Sequence, residues 1–172
     1  MPTDPRDELW VASFNTFYDS IYGETLADNL INRWQTVDEI TRALIAITAS
    51  TSAVSGWALW ARPQFHNVWL IISGLAALLA ILHATLGVPG RIKDHAEDKR
   101  QFLSLSGDLE TFRYEMRINP VFDVAEFSRR FLEFRKRYSD AAQLVKNDIA
   151  ATRRLARATQ LQVNRRLASE IK

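Results

Sequence analysis

The sequence predicts an all-α membrane protein: a two-helix transmembrane hairpin, preceded by amphipathic helices and followed by a long cytoplasmic helical hairpin or coiled coil. Three observations carry that prediction. A block from Ala43 to Gly90 holds one charged side chain, Arg62, in a chain otherwise dense with charge. Apolar residues on either side of it recur at alternating spacings of three and four, which is the period of a helix face. No apolar–polar alternation marks a strand.

The N-terminal region, 1–42, reads as juxtamembrane amphipathic helices. Asp7–Tyr22 places Trp10, Phe14, Phe17, Tyr18 and Ile21 at helical spacing, an aromatic stripe suited to a membrane surface or to packing on neighbouring helices. Gly23 is expected to break that helix. A second helix from Thr25 to about Thr36, with Leu26, Leu30 and Trp34 four residues apart, is expected to run into the first span.

The block 43–90 holds two apolar segments. The first, 43–61, is 19 residues without Asp, Glu, Lys or Arg. At about 1.5 Å per residue it is roughly 28 Å long, against about 30 Å of bilayer hydrocarbon. The second, 65–87, is longer and more apolar, and only Arg62–Pro63–Gln64 lies between them. Trp57, Trp60 and Trp69 cluster at the expected tip, as interfacial aromatics do. A buried soluble helical hairpin would also need long apolar stretches, but the lack of charge from Pro63 to Gly90 argues for lipid.

The region 91–172 reads as cytoplasmic helices. Pro89–Gly90 is expected to separate the second span from a helix of about Arg91 to Arg117, with the stripe Phe102, Leu105, Leu109, Phe112 and Met116. Asn119–Pro120 forces a break. Asp123 with Glu126 resembles a capping box for a last helix, which carries Val124, Phe127, Phe131, Phe134, Tyr138, Ala141 and Val145 and continues to the C-terminus. The two long helices are expected to fold back on each other.

Charge sets the topology. Arg33 and Arg42 precede the first span and Arg91, Lys93, Lys99 and Arg100 follow the second, while the tip offers Arg62 alone. Both termini are therefore expected in the cytoplasm, the chain being multi-pass. The acidic, polar start lacks a signal peptide's apolar core. Residues 1–42 carry three basic and eight acidic side chains, net −5, and residues 91–172 carry 18 basic and 12 acidic, net +6. The two could attract each other, or the basic tail could meet an anionic partner.

Enzymatic chemistry is not expected. There is no cysteine, no phosphate-cradling glycine loop and no nucleophile motif, and His66, His83 and His95 share no ligand spacing. Asp94, His95, Glu97 and Asp98 cluster beneath the second span, with Asp94 and Asp98 on one face. A solvated face paired with Lys93 and Lys99 is the preferred reading over a cation site. No cofactor and no metal are expected. His83, inside the second span, is either a functional intramembrane group or a hydrogen-bonded structural one.

The first span carries the sharpest constellation. Thr48, Thr51, Ser52 and Ser55 fall on one helical face, with Thr41, Leu44, Leu59 and Arg62 on the same stripe. A hydroxylated middle bounded by aliphatic residues can line a narrow water pore, with Leu44 or Leu59 as the dewetting gate. The same face also suits close helix contact, since the hydroxyls can bond the carbonyl one turn earlier. Both uses call for a homo-oligomer, and a tetramer is the favoured assembly. In the tail, Arg129–Arg130, Arg153–Arg154 and Arg165–Arg166 are either phosphate-binding forks or a solvated basic face.

The segments NLINRW before the membrane, the Trp57–Trp60–Arg62–Pro63 turn and DHAEDKRQFLSLSGDLETF after it resemble the SLATT family of two-transmembrane bacterial effectors. The resemblance covers nearly the whole chain in layout. It implies an oligomeric membrane effector of anti-phage defence, gated by a nucleotide or oligonucleotide from a partner nucleotidyltransferase, causing depolarisation and growth arrest. It offers no catalytic residues to carry over, and no duplex DNA partner is expected. The alternative is a non-conducting scaffold that recruits partners through its cytoplasmic helices.

Overall fold

A computed structural model describes residues 4–60, 66–121, 123–145 and 148–170. At 47–60, 66, 69, 72–73, 144–145 and 170 it describes the backbone alone. The described residues form helices and no strands: α1 (Pro5–Trp60), α2 (His66–Leu86), α3 (Val88–Ile118), α4 (Val124–Val145) and α5 (Arg153–Glu170). They divide into two compact units, Met1–Ile31 with Asp94–Lys172, and Asn32–Lys93.

In the first unit, α3 supplies the central ridge. Phe102, Leu105, Leu109, Phe112 and Met116 are all at most 1% exposed, as their spacing predicts. The α4 stripe runs along that ridge: Phe112 lies 5.5 Å from Phe127, 6.5 Å from Phe131 and 5.4 Å from Phe134, centroid to centroid, and Phe102 lies 6.1 Å from Tyr138 and packs with Ala141. Asp123 caps α4, its Oδ1 accepting from the N–H groups of Ala125 and Glu126 at 2.9 and 3.3 Å. The α4 helix does not continue to the C-terminus. The chain turns at 148–152, and α5 begins with Thr152 Oγ1 accepting from the Leu155 N–H at 3.3 Å.

The buried face of α1 is not its aromatic stripe. Leu9, Ser13, Thr16, Ser20, Leu26, Ala27 and Leu30 are buried, and of the predicted stripe Ile21 is buried too, whereas Trp10 and Phe14 are exposed. Small side chains let α1 lie against the bulky α3 ridge, and Leu9 joins the cluster of Phe112 and Met116 while Leu26 and Leu30 join that of Phe102. The hydroxyls need no outside partner. Ser13 donates to the carbonyl of Trp10, Thr16 to that of Ala12 and Ser20 to that of Thr16, at 2.9, 3.1 and 2.7 Å.

Gly23 sits on this same seam, and it does not break the helix, which runs through it. Its role is close approach: a Cβ there would lie 2.7 Å from the Phe102 ring. Phe102 is itself 1% exposed, so its ring can yield only by displacing other core side chains. Alanine is about 1 kcal/mol the better helix former, yet overpacking a tight core costs about 1–3 kcal/mol. Gly23→Ala should therefore lower the thermal midpoint of the full chain, and a raised midpoint would show that Phe102 can move aside.

The second unit contains the rest of α1, all of α2 and the start of α3. The break after α2 is at Gly87, with φ +58°, and not at Pro89–Gly90. Left-handed backbone there ends α2, and the Gly87 carbonyl accepts from the Arg91 N–H at 3.1 Å to start α3. Pro89 falls in the first turn of α3, where a missing N–H costs nothing. The Arg91 side chain donates Nε–H to the Leu86 carbonyl at 3.0 Å and lies 5.0 Å from the Trp34 ring centroid.

Most of the described apolar side chains of α2 are uncovered. Val68, Leu70, Ile71, Leu75, Leu78, Ile81 and Leu82 are 46% to 63% exposed. Among the described residues one helical stretch, beginning at Gly74, is long and apolar enough to cross a membrane by length and composition.

Candidate functional site

The predicted pore face lies on the α1 backbone, but the side chains of Thr48, Thr51, Ser52, Ser55 and Leu59 fall outside the described residues. Leu44, the other gate candidate, is 43% exposed.

In the same unit, His83 from α2 faces Asp38 from α1, Nε2 to Oδ1 at 3.4 Å, and Arg42 holds the other Asp38 oxygen at 2.9 Å. The Asp38 and His83 side chains are 14% and 19% exposed. Asp38 Oδ1 and His83 Nδ1 are both buried without a hydrogen-bond partner, an unrelieved polar spot between two apolar helices. Sequence periodicity singled out His83 but not Asp38. Its one signal is an acid placed four residues before Arg42, at the edge of the apolar block.

The arginine pairs divide between two places. On α4, Arg130 pairs with Glu115 of α3 at 2.7 Å and stacks 5.4 and 5.7 Å from the Phe112 and Phe127 rings, while Arg129 is exposed. On α5, Arg166 faces Glu24 of α1 at 3.4 Å, and Arg153, Arg154 and Arg165 are exposed. Arg130 lines a cavity of about 390 Å³ with Glu115 and Glu126; Arg166 lines another of about 330 Å³ with Glu24, Asp28 and Lys99. In both, each cation already has a carboxylate, so the first is net negative and the second near neutral, and neither has the field of an anion cradle. The exposed arginines Arg129, Arg153, Arg154 and Arg165 keep their fork geometry available for phosphate.

The acidic cluster after α2 is not one solvated face. Asp94 is exposed, but His95 and Asp98 are buried, and Lys99 bonds Asp28 of α1 at 2.7 Å. His95 Nδ1 lies 3.3 Å from Asp98 Oδ2, and Nε2 lies 2.9 Å from Asp148 Oδ2 in the turn before α5. Burial pushes the Asp98 carboxyl above the usual carboxylate range, against the pull of its bond to His95. Asp148 is 53 residues beyond His95, so no local spacing could announce the contact. Among the described residues no group of three His, Cys, Asp or Glu side chains is arranged to hold a metal ion.

The aromatic stripe of α1 has its own ligand. The Arg113 guanidinium lies over Trp10, Phe14 and Phe17 at 4.3, 4.9 and 5.7 Å. Burial draws its pKa below the ordinary guanidinium value, and its Nε is buried without a hydrogen-bond partner. The rings therefore replace part of its solvation through their quadrupoles. The arrangement ties α1 to α3 and leaves the outer edges of Trp10 and Phe14 exposed.

No family model matches the chain, and neither does any curated protein or solved structure.

Proposed function

We propose that the chain is a membrane-embedded effector that assembles as a homo-oligomer, a tetramer, and conducts ions when opened. The hydroxylated face of Thr48, Thr51, Ser52 and Ser55 lines the pore, and Leu44 and Leu59 close it. The first unit is the regulatory part. Its signal is a nucleotide or oligonucleotide made by a partner nucleotidyltransferase, and its setting is bacterial anti-phage defence, where opening depolarises the cell and arrests growth. These last assignments rest on the SLATT-like segments.

The observation that carries the membrane reading is the exposure of the α2 apolar side chains. A water-facing arc of Val, Leu and Ile of this extent is unfavourable at about 25 cal/mol per Å², and lipid or a second copy relieves it. The unrelieved Asp38–His83 pair beside it is the kind of ionisable intramembrane group that serves ion pathways.

Reconstitution in liposomes tests the reading. The full chain should pass ions under at least one nucleotide condition, and a Thr48→Leu/Ser52→Leu variant should lose about tenfold or more of that flux as the hydroxyl lining becomes dewetting. No flux under any condition would remove the pore; full flux in the double variant would move the lining elsewhere.

The second reading, a non-conducting scaffold, draws support from exposed apolar residues on the first unit, among them Leu132, Ile149 and Leu161. It predicts that α1 residues 43–60 and α2 can be exchanged for unrelated spans without loss of activity.

A further inference from the structure

Between α3 and α4 lies a hollow that none of the predicted sites includes. On α3, Ser104 stands one turn after Arg100 on the same face, and Arg137 of α4 reaches it from across the seam. A small side chain between two long ones leaves a gap that neither fills. The result is a cavity of about 280 Å³ lined by Arg100, Gln101, Ser104, Leu105 and Arg137. Leu105, a ridge residue 1% exposed, is the apolar part of that wall.

The polar part of the wall is made of donors. Arg100 gives Nε–H and Nη2–H to the two Glu97 oxygens at 3.1 and 2.9 Å, which leaves Nη1 without a partner among the described residues. Arg137 gives Nη1–H to Asp108 at 2.7 Å and Nη2–H to Ser104 Oγ at 3.4 Å, which leaves Nε–H. Gln101 gives one amide N–H to Glu97 at 3.2 Å and keeps the other. Ser104 differs from the other hydroxyls of its helix. Ser106 and Thr111 donate to the carbonyls of Leu103 and Gly107 at 2.9 and 3.0 Å, whereas the Ser104 hydroxyl has no acceptor among the described residues.

The carboxylates of this region stay out of the wall. The cavities at Arg6, Arg130 and Arg166 each have an acid in the lining: Asp7, then Glu115 and Glu126, then Glu24 and Asp28. An anion entering those meets like charge directly. Here Glu97 and Asp108 hold the two guanidiniums but line no part of the hollow. The two pairs sum to zero, so the field is weak and recognition falls to the donors. Both pairs are exposed, their side chains 46% to 77% open, and exposed ion pairs are loose in water. Each guanidinium can turn a free edge to a new acceptor while its carboxylate restrains the other edge. That restraint lowers the rotamer entropy lost on binding.

Two planar forks, a hydroxyl and an amide converging on one hollow match a group that only accepts, and the fork geometry suits phosphoryl oxygens. Size sets the rest. Small-molecule pockets run from about 300 to 1,000 Å³, so about 280 Å³ holds one phosphorylated sugar or mononucleotide and not a chain of them.

We propose that this hollow binds the phosphoryl group of a single small phosphate ester, up to mononucleotide size, through Arg100, Arg137, Ser104 and Gln101. The site rests on the cavity and its donors alone. Its role as the seat of the opening signal rests on the effector reading, and narrows that signal from a nucleotide or oligonucleotide to a mononucleotide.

Calorimetric titration of the full chain in phosphatidylcholine nanodiscs tests it. Ribose 5-phosphate and AMP should each bind once per chain, adenosine should not bind, and excess inorganic phosphate should displace both esters. Ser104→Leu fills the hollow and should abolish binding. Arg137→Met should weaken it about tenfold or more, the loss of a charged hydrogen bond. Lys136→Met removes the same charge one residue away, outside the wall, and should leave the affinity within about twofold. All three positions are exposed, so these changes unpack no core. Binding of neither ester would overturn the proposal, as would adenosine binding as tightly as AMP. Full affinity in Ser104→Leu, or equal losses in Lys136→Met and Arg137→Met, would overturn it as well. The parent-chain titrations decide even where a variant fails to fold. Ester binding without ion flux in liposomes would remove the pore and leave this site standing.

Discussion

Phe112→Ala is expected to lower the stability of the first unit by about 3–5 kcal/mol, the range for truncating a large, fully buried aromatic. Phe112 is 0% exposed, it packs with Leu9 and Met116, and its ring meets those of Phe127, Phe131 and Phe134. The cavity would open where α1, α3 and α4 converge, so no single helix can shift to fill it. The Arg130 guanidinium, 5.4 Å above the Phe112 ring, would lose part of its stacking as well. Denaturant unfolding of the full chain, followed by loss of α3 amide protection, measures the effect. A loss under about 1 kcal/mol would mean that the cluster does not hold the unit together.

Leu78→Arg is expected to move the chain out of the membrane fraction, with an insertion penalty of about 2.5–3.5 kcal/mol, roughly a hundredfold in partitioning. The substitution separates two environments that share one geometry. Leu78 is 53% exposed near the middle of α2. If α2 faces water, an exposed Leu→Arg change stays within about 0.5 kcal/mol, because nothing is unpacked. If α2 faces lipid, the guanidinium is stranded far from either headgroup layer. Carbonate extraction of membranes from cells expressing each chain gives the answer directly.

The parts of the fold legible in the sequence are those where side-chain size and polarity agree. On α3 the five residues chosen by spacing are the five that form the ridge, because Phe, Leu and Met have nowhere else to go. Asp123 caps α4 as its type and position require, since the first N–H groups of a helix lack intrahelical partners and are met locally. The proline at 120 falls between α3 and α4.

The α1 face shows the opposite case. Its aromatic residues dominate any count of hydrophobicity, yet between Leu9, Ile21, Leu26 and Leu30 the seam is made of Ser13, Thr16, Ser20, Gly23 and Ala27. Against a ridge as bulky as that of α3, close approach wins over greasiness, and hydroxyls that bond their own backbone are buried without penalty. Gly23 follows the same logic. Read in isolation it is a helix breaker; set against Phe102 it is the one residue without a Cβ to collide. Arg113 was invisible for a related reason, since only the meeting of α1 and α3 puts three rings beneath it.

The candidate sites divide along the same line. Helical periodicity places Thr48, Thr51, Ser52 and Ser55 on one face whatever surrounds them, because that depends on 100° per residue alone. It also brings out the charge-poor block and the all-helical class, which are local properties of composition and period. The partners of His95, His83 and Arg130 belong to the tertiary structure. Asp148, Asp38 and Glu115 lie 53, 45 and 15 residues away along the chain, and the contact exists only once helices have docked. Burial then makes the contact matter: a His–Asp pair that is nearly worthless at an exposed surface joins two segments of the chain when its side chains are 3% to 5% exposed.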